Sequence, residues 1–210
     1  MNKAFVLLLF FIGLYSNQAN SAPVSVGPYV FDDTAFVDTV ISMSGTINSN
    51  SESTSAITDL DPASYIYSSN NGYIDLSFGS TPIYNGSGND LAFYFLGNQS
   101  TFSVSLLGNS TPAQSYTSSF LYDTSGNQYA VNVNGSYYAL SAALLNLDAF
   151  GMNDTDALEG FRVNLGTNNF LSLVGGFHLE PAATVIPLPA PFLLFLSGLT
   201  ALGLISRRKK

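Results

Sequence analysis

The sequence predicts an all-β protein: an antiparallel β-sandwich of jelly-roll type, flanked by an N-terminal signal peptide and a C-terminal transmembrane helix. Three observations predict it. In the middle of the chain apolar residues recur at every second position, the period of half-buried strands. Clusters of Gly, Asn, Ser, Asp and Pro interrupt these runs at short intervals, as turns do. Both ends, unlike the middle, are apolar runs placed beside the positive charges of the chain.

The first element is "MNKAFVLLLFFIGLYSNQANSAPVSV". Lys3 supplies a positive start, Ala4 to Tyr15 an apolar run, and "ANSAP" an exit of small residues. That order is a secretory signal peptide over residues 1–21. Cleavage after Ser21 puts Ala19 three residues before the cut. The competing reading is an uncleaved anchor.

The body, residues 22–180, supplies the strands. "YIDLSF" places Ile74, Leu76 and Phe78 on one face, and "TFSVSLL" does the same with Phe102, Val104 and Leu106. "YAVNVN" gives Val131 and Val133. "GFRVNLG" turns Phe161, Val163 and Leu165 inward and Arg162 and Asn164 outward. "FLSLVGGFHL" adds Leu171 and Leu173. "LAFYFL" (Leu91 to Leu96) is apolar on both faces, as a central strand is. "SSNNGY", "TPIYNGSGND", "LGNSTP", "TSGN" and "GMNDTD" read as the turns. About eight to ten strands follow from this spacing, which suits a sandwich or jelly roll. "YYALSAALLNLDAF" hints at one helical turn, and the Ser-rich "SGTINSNSESTS" (Ser44 to Ser55) reads as an exposed loop.

After a linker at 181–186 the chain ends in "VIPLPAPFLLFLSGLTALGLISRRKK". Ala190 to Ser206 carry no charge over 17 residues. A helix of that length covers about 25 Å, the lower limit for a bilayer core. Arg207, Arg208, Lys209 and Lys210 resist crossing the hydrocarbon and act as a stop to export. Pro187 and Pro189, with Leu188 between them, keep the membrane-proximal chain extended and open to a protease.

The ordered set "IPLP", "LFLSGL" and "RRKK" resembles the PEP-CTERM sorting domain over about 26 residues, with Leu188 where its commonest version has Glu. A GPI signal lacks such a basic end, and the L-P-x-T-G of sortase signals is missing. The resemblance implies a Gram-negative bacterium that makes exopolysaccharide. It implies processing by an exosortase, with the tail acting as a transient inner-membrane anchor while the body is exported toward the cell surface. A plain C-terminal anchor is the alternative.

Charge bounds the partners. Fourteen acids face six cations, and of these only Arg162 lies in the body, so the body carries −13. Such a surface repels phosphate backbones, which excludes nucleic acid. There is no Cys, so no disulfide and no thiol nucleophile. His178 is the single histidine and reads as structural. No G-x-S-x-G, dinucleotide fingerprint or P-loop is present. Two facing carboxylates could hydrolyse a glycoside, but fourteen acids make many pairs and single out none. The chain therefore reads as no enzyme.

Calcium is the cofactor the acids could hold, because it takes oxygens from carboxylates, amides and carbonyls. Three turn clusters supply them: Asp32 and Asp33 (with Asp38), Asn89 and Asp90, and Asp154, Asp156 and Glu159 (with Asn153). The bland reading is that acids sit in turns because they cap them. Two functions follow. The first is a structural protein of the cell surface or matrix, associated with exopolysaccharide. The second is a calcium-dependent, lectin-like carbohydrate-binding module, whose tyrosines stack on sugars.

Overall fold

A computed structural model describes residues 22–51, 55–79 and 81–179. The signal peptide expected at 1–21, the linker, Pro187, Leu188 and Pro189, the span at 190–206 and Arg207 to Lys210 lie outside the described residues. Among the described residues no helix is long and apolar enough to cross a membrane.

The described chain is all-β, and every paired strand is antiparallel. A five-stranded sheet runs in the order β3 (Thr39–Ser44), β6 (Tyr73–Ser77), β13 (Phe161–Asn164), β8 (Thr101–Leu106), β9 (Gln114–Thr117). A seven-stranded sheet runs β10 (Ser119–Phe120), β12 (Ser136–Leu145), β7 (Leu91–Leu96), β14 (Phe170–Gly176), β5 (Ile66–Ser68), β4 (Ile47–Ser49), with β11 (Ala130–Val133) also on β12. A separate hairpin joins β1 (Val24–Val26) to β2 (Tyr29–Phe31).

The sheets form a sandwich-like pair because each turns an apolar face to the other. Phe102, Val104 and Leu106 of β8 and Phe161 and Val163 of β13 meet Leu91, Phe93 and Phe95 of β7 in one buried cluster. Phe93 touches both Phe102 and Phe161, at ring-centroid distances of 5.2 and 5.6 Å. The inward faces expected for "TFSVSLL" and "GFRVNLG" are those observed, and all six residues of β7 are buried, as a central strand requires.

The seven-stranded sheet has a second core on its outer face. Ala92, Tyr94 and Leu96 of β7 and Leu140 and Ala142 of β12 pack there under Val26 and Phe31 of the N-terminal hairpin. The structure departs from the sequence reading at several places, the first because β12 is buried on both faces. "YYALSAALLNLDAF" is not helical at its centre: β12 runs through it, and a 3-10 turn follows at Leu147–Phe150. Its small residues fit a strand pressed from both sides, with Ala142 in the outer core and Ala143 in the inner one. Leu171 and Leu173, expected on one face, lie on opposite faces, because the ladder shifts register between them. Ser172 is the extra residue of this bulge, and its hydroxyl donates to the Pro62 carbonyl at 2.8 Å. Within the expected Ser-rich loop, Ile47–Ser49 form β4, paired with β5. The described strands number fourteen rather than eight to ten, since several have three residues or fewer and give no readable alternation.

Candidate functional site

Three regions concentrate polar or aromatic side chains: a buried knot around Asp90, a ladder on the outside of the five-stranded sheet, and a tyrosine-lined groove on the seven-stranded sheet.

The knot closes the turn "YNGSGND". Asp90, fully buried, precedes β7. Its carboxylate accepts from the Gly86 N–H at 2.8 Å and the Leu147 N–H at 2.7 Å, and His178 Nδ1 lies 2.8 Å from the oxygen that Gly86 also uses. A Cβ at Gly86 would lie 2.6 Å from the imidazole, so the ring needs glycine there. Asn85, also buried, donates to Asp148 at 2.8 Å and to the Met152 carbonyl at 2.9 Å. The knot thus ties the loop before β7, the 3-10 turn and the chain after β14 into one unit. A buried carboxylate is stable only with such donors.

The ladder is centred on Arg162. In register, Ser42, Asp75, Arg162 and Ser105 stand side by side across four strands. Arg162 grips Asp75 with two nitrogens, at 2.7 and 2.9 Å, and the Ser42 hydroxyl donates to the same carboxylate at 2.6 Å. The Tyr73 ring lies 3.7 Å from the guanidinium carbon. Arg162's hydrogen bonds hold the Asp75 carboxyl below its ordinary value, against burial, which pushes it up; the Ser42 bond lowers it further.

The acids proposed as calcium ligands are distributed as follows. Asp32 accepts from the backbone N–H and the hydroxyl of Thr34 at 3.0 and 2.6 Å. Asp33 keeps one buried carboxylate oxygen without a hydrogen-bond partner, and it lines a small surface pocket with Asp38. Asn89 is exposed, one residue before the knotted Asp90. Asp156 accepts from the backbone and side-chain nitrogens of Asn153 at 2.8 and 2.9 Å. Asp154 is exposed, and the exposed Glu159 lines an open pocket with Asp156. Among the described residues, no group of three or more His, Cys, Asp or Glu is placed to hold a metal ion.

The groove is built from segments far apart in sequence. Leu96, buried at the end of β7, lines it beside Gly97 and Asn98; β12 supplies Tyr137, Tyr138 and Ala139; Tyr65 and Phe170 complete the lining. Its volume is about 380 Å³, and it opens to solvent. Tyr65 and Phe170 meet edge to face at 5.2 Å, with Tyr67 a further 5.2 Å from Phe170. Burial, then the neighbouring phenols of Tyr138 and Tyr67, push the Tyr65 phenol up. Tyr138 is partly exposed, and Tyr137 is 75% exposed. Stacking tyrosines are expected from the sequence, but the paired "YY" and the alternating "YIY" do not by themselves show which rings meet. Comparison with protein-family models, with curated proteins and with solved structures finds no match to this chain.

Proposed function

We propose that the chain is an exported, non-catalytic structural protein of the cell surface or of an exopolysaccharide matrix, delivered there by exosortase processing of its tail. One observation supports this best: the buried and half-buried polar groups of the knot, the ladder and two turns are engaged in holding the chain's own loops and strands. Asp90 and His178 hold the knot, Asp75 and Arg162 hold the ladder, and Asp32 and Asp156 cap their turns. A body braced in this way suits a durable surface component. On this reading the signal peptide exports the chain through the inner membrane. The span at 190–206 and Arg207 to Lys210 then hold it there until Pro187, Leu188 and Pro189 are read by the exosortase.

The sandwich is, on the same reading, a jelly roll. The support is nested pairing: β5 with β14, β6 with β13, β7 with β12 and β8 with β9. These eight strands make one long hairpin. Rolling it over brings β14 beside β7 and β13 beside β8, which are pairs in the two sheets. A calcium-dependent lectin is the second reading, favoured by the unpartnered Asp33 oxygen beside Asp38.

Intact-mass analysis of surface material from the producing cell tests delivery. A mature chain ending near Pro187–Ala190 is expected. A surface chain that still carries Arg207 to Lys210 sinks the processing reading.

A further inference from the structure

We propose that the tyrosine groove is a binding site for a neutral polysaccharide chain, held by ring stacking and hydroxyl hydrogen bonds without a metal ion. The inference rests on the matrix reading above and gives it a site and a ligand class.

The rings come first. Tyr138 stands on β12, while Tyr65 and Phe170 come from the β5 and β14 side of the groove. A pyranose ring has an apolar C–H face and a rim of hydroxyls. An aromatic ring with a polar tip matches both parts: its face covers the C–H groups and its phenol reaches the rim. The Asn98 amide adds a donor and an acceptor at the same wall.

Charge narrows the class. No lining residue is ionic at neutral pH, in a body carrying −13. A polymer of uronic acids would be repelled by that body and find no cation in the groove. A neutral polyol meets neither cost. The same lack of carboxylates in the lining leaves a calcium ion nothing to bind there.

Shape sets the mode. A volume of about 380 Å³ lies near the lower end of small-ligand sites, roughly 300–1,000 Å³. The groove is open, so it suits a short stretch of a chain that enters and leaves along the surface. Tyr137, 75% exposed beside Tyr138 on the same strand, gives the groove an aromatic rim open to solvent.

Full-length protein extracted in a zwitterionic detergent, free of sugar headgroups, is titrated calorimetrically with dextran, mannan, β-1,3-glucan and alginate. Binding to at least one neutral polymer, none to alginate, and no change in EDTA are expected. Tyr138→Ala should weaken binding about tenfold or more, while Tyr138→Phe, which keeps the ring, should stay within about threefold. If Tyr138→Ala does not fold, Tyr137→Ala tests the same rim with a ring that supports no core, and a loss of about threefold or more is expected. Silence with all neutral polymers, dependence on calcium, or affinity unchanged by both Tyr138→Ala and Tyr137→Ala overturns the proposal. So does a change in oligomeric state on Tyr138→Ala, which would make a second copy of the chain the occupant. Failure here leaves tail processing untouched, and a retained tail leaves the titration untouched, so the two readings fail separately.

Discussion

The two sheets solve the same problem differently. In the five-stranded sheet one face is core and the other is wet: β8 alternates buried Phe102, Val104 and Leu106 with partly exposed Ser103 and Ser105. In the seven-stranded sheet both faces are core, and β7 alternates Phe93 and Phe95 against the inner core with Tyr94 against the N-terminal hairpin and Leu96 at the groove. Polar satisfaction follows the same split. The outer face of the smaller sheet pairs its own charge, Asp75 with Arg162, in partial contact with solvent. The outer face of the larger sheet is aromatic, and where its cover stops, at the end of β7, the groove begins. The ladder therefore sits on one outer surface of the molecule and the proposed binding site on the other.

The largest expected effect tests that asymmetry. Phe93→Ala and Tyr94→Ala, neighbours on opposite faces, should each cost about 3–5 kcal/mol in denaturant unfolding, because both leave a large cavity in a packed core. On β8 the corresponding pair should diverge: Val104→Ala should cost about 1–3 kcal/mol and Ser103→Ala less than about 0.5. A mild Tyr94→Ala would mean that the hairpin is a loose cover and not a second core.

The next effect lies on the ladder and depends on pH. Asp75 is held below its ordinary value of 3.8, so its contribution is present above that pH and is lost as pH falls through the lowered value. Asp75→Asn should destabilise the protein by about 1–2 kcal/mol at neutral pH, at the lower end for a charge-assisted pair, since Arg162 is 35% exposed. The gap between wild type and variant should close on acidification below pH 3.8. A gap that persists at still lower pH would show that shape, not charge, holds the ladder together.

The same contrast decides what was legible in the sequence. Period-two alternation identifies a strand with one wet face, so the inward sets on β8 and β13 and the outward Arg162 could be read directly. A strand buried on both faces loses that signal. The Ala-rich centre of β12 then imitates a helix, and the bulge at Ser172 reverses a face without any local mark. The knot was hidden for another reason. Asp90 and His178 are 88 residues apart, so Asp90 read as one more turn acid. The groove gathers residues near 65, 97, 138 and 170, and no segment alone announces it. The tail, by contrast, speaks through local order and spacing alone, in residues outside those described.

The smallest effect is the most useful for separating stability from binding. Tyr137 is 75% exposed on β12, before that strand enters the two cores. Truncating it to Ala removes a ring that packs in neither core, so stability should change by less than about 0.5 kcal/mol. That corresponds to about 1–2 °C in melting temperature for a domain of this size. Its neighbours farther along the strand behave oppositely: Ala143→Leu would force a branched side chain into the inner core and cost about 1–3 kcal/mol. If Tyr137→Ala melts with the wild type yet binds neutral polysaccharide more weakly, the aromatic end of β12 serves a ligand and its Ala-rich end serves the fold. A melting temperature that falls by many degrees would place Tyr137 in the structural set and remove the ring from the binding argument.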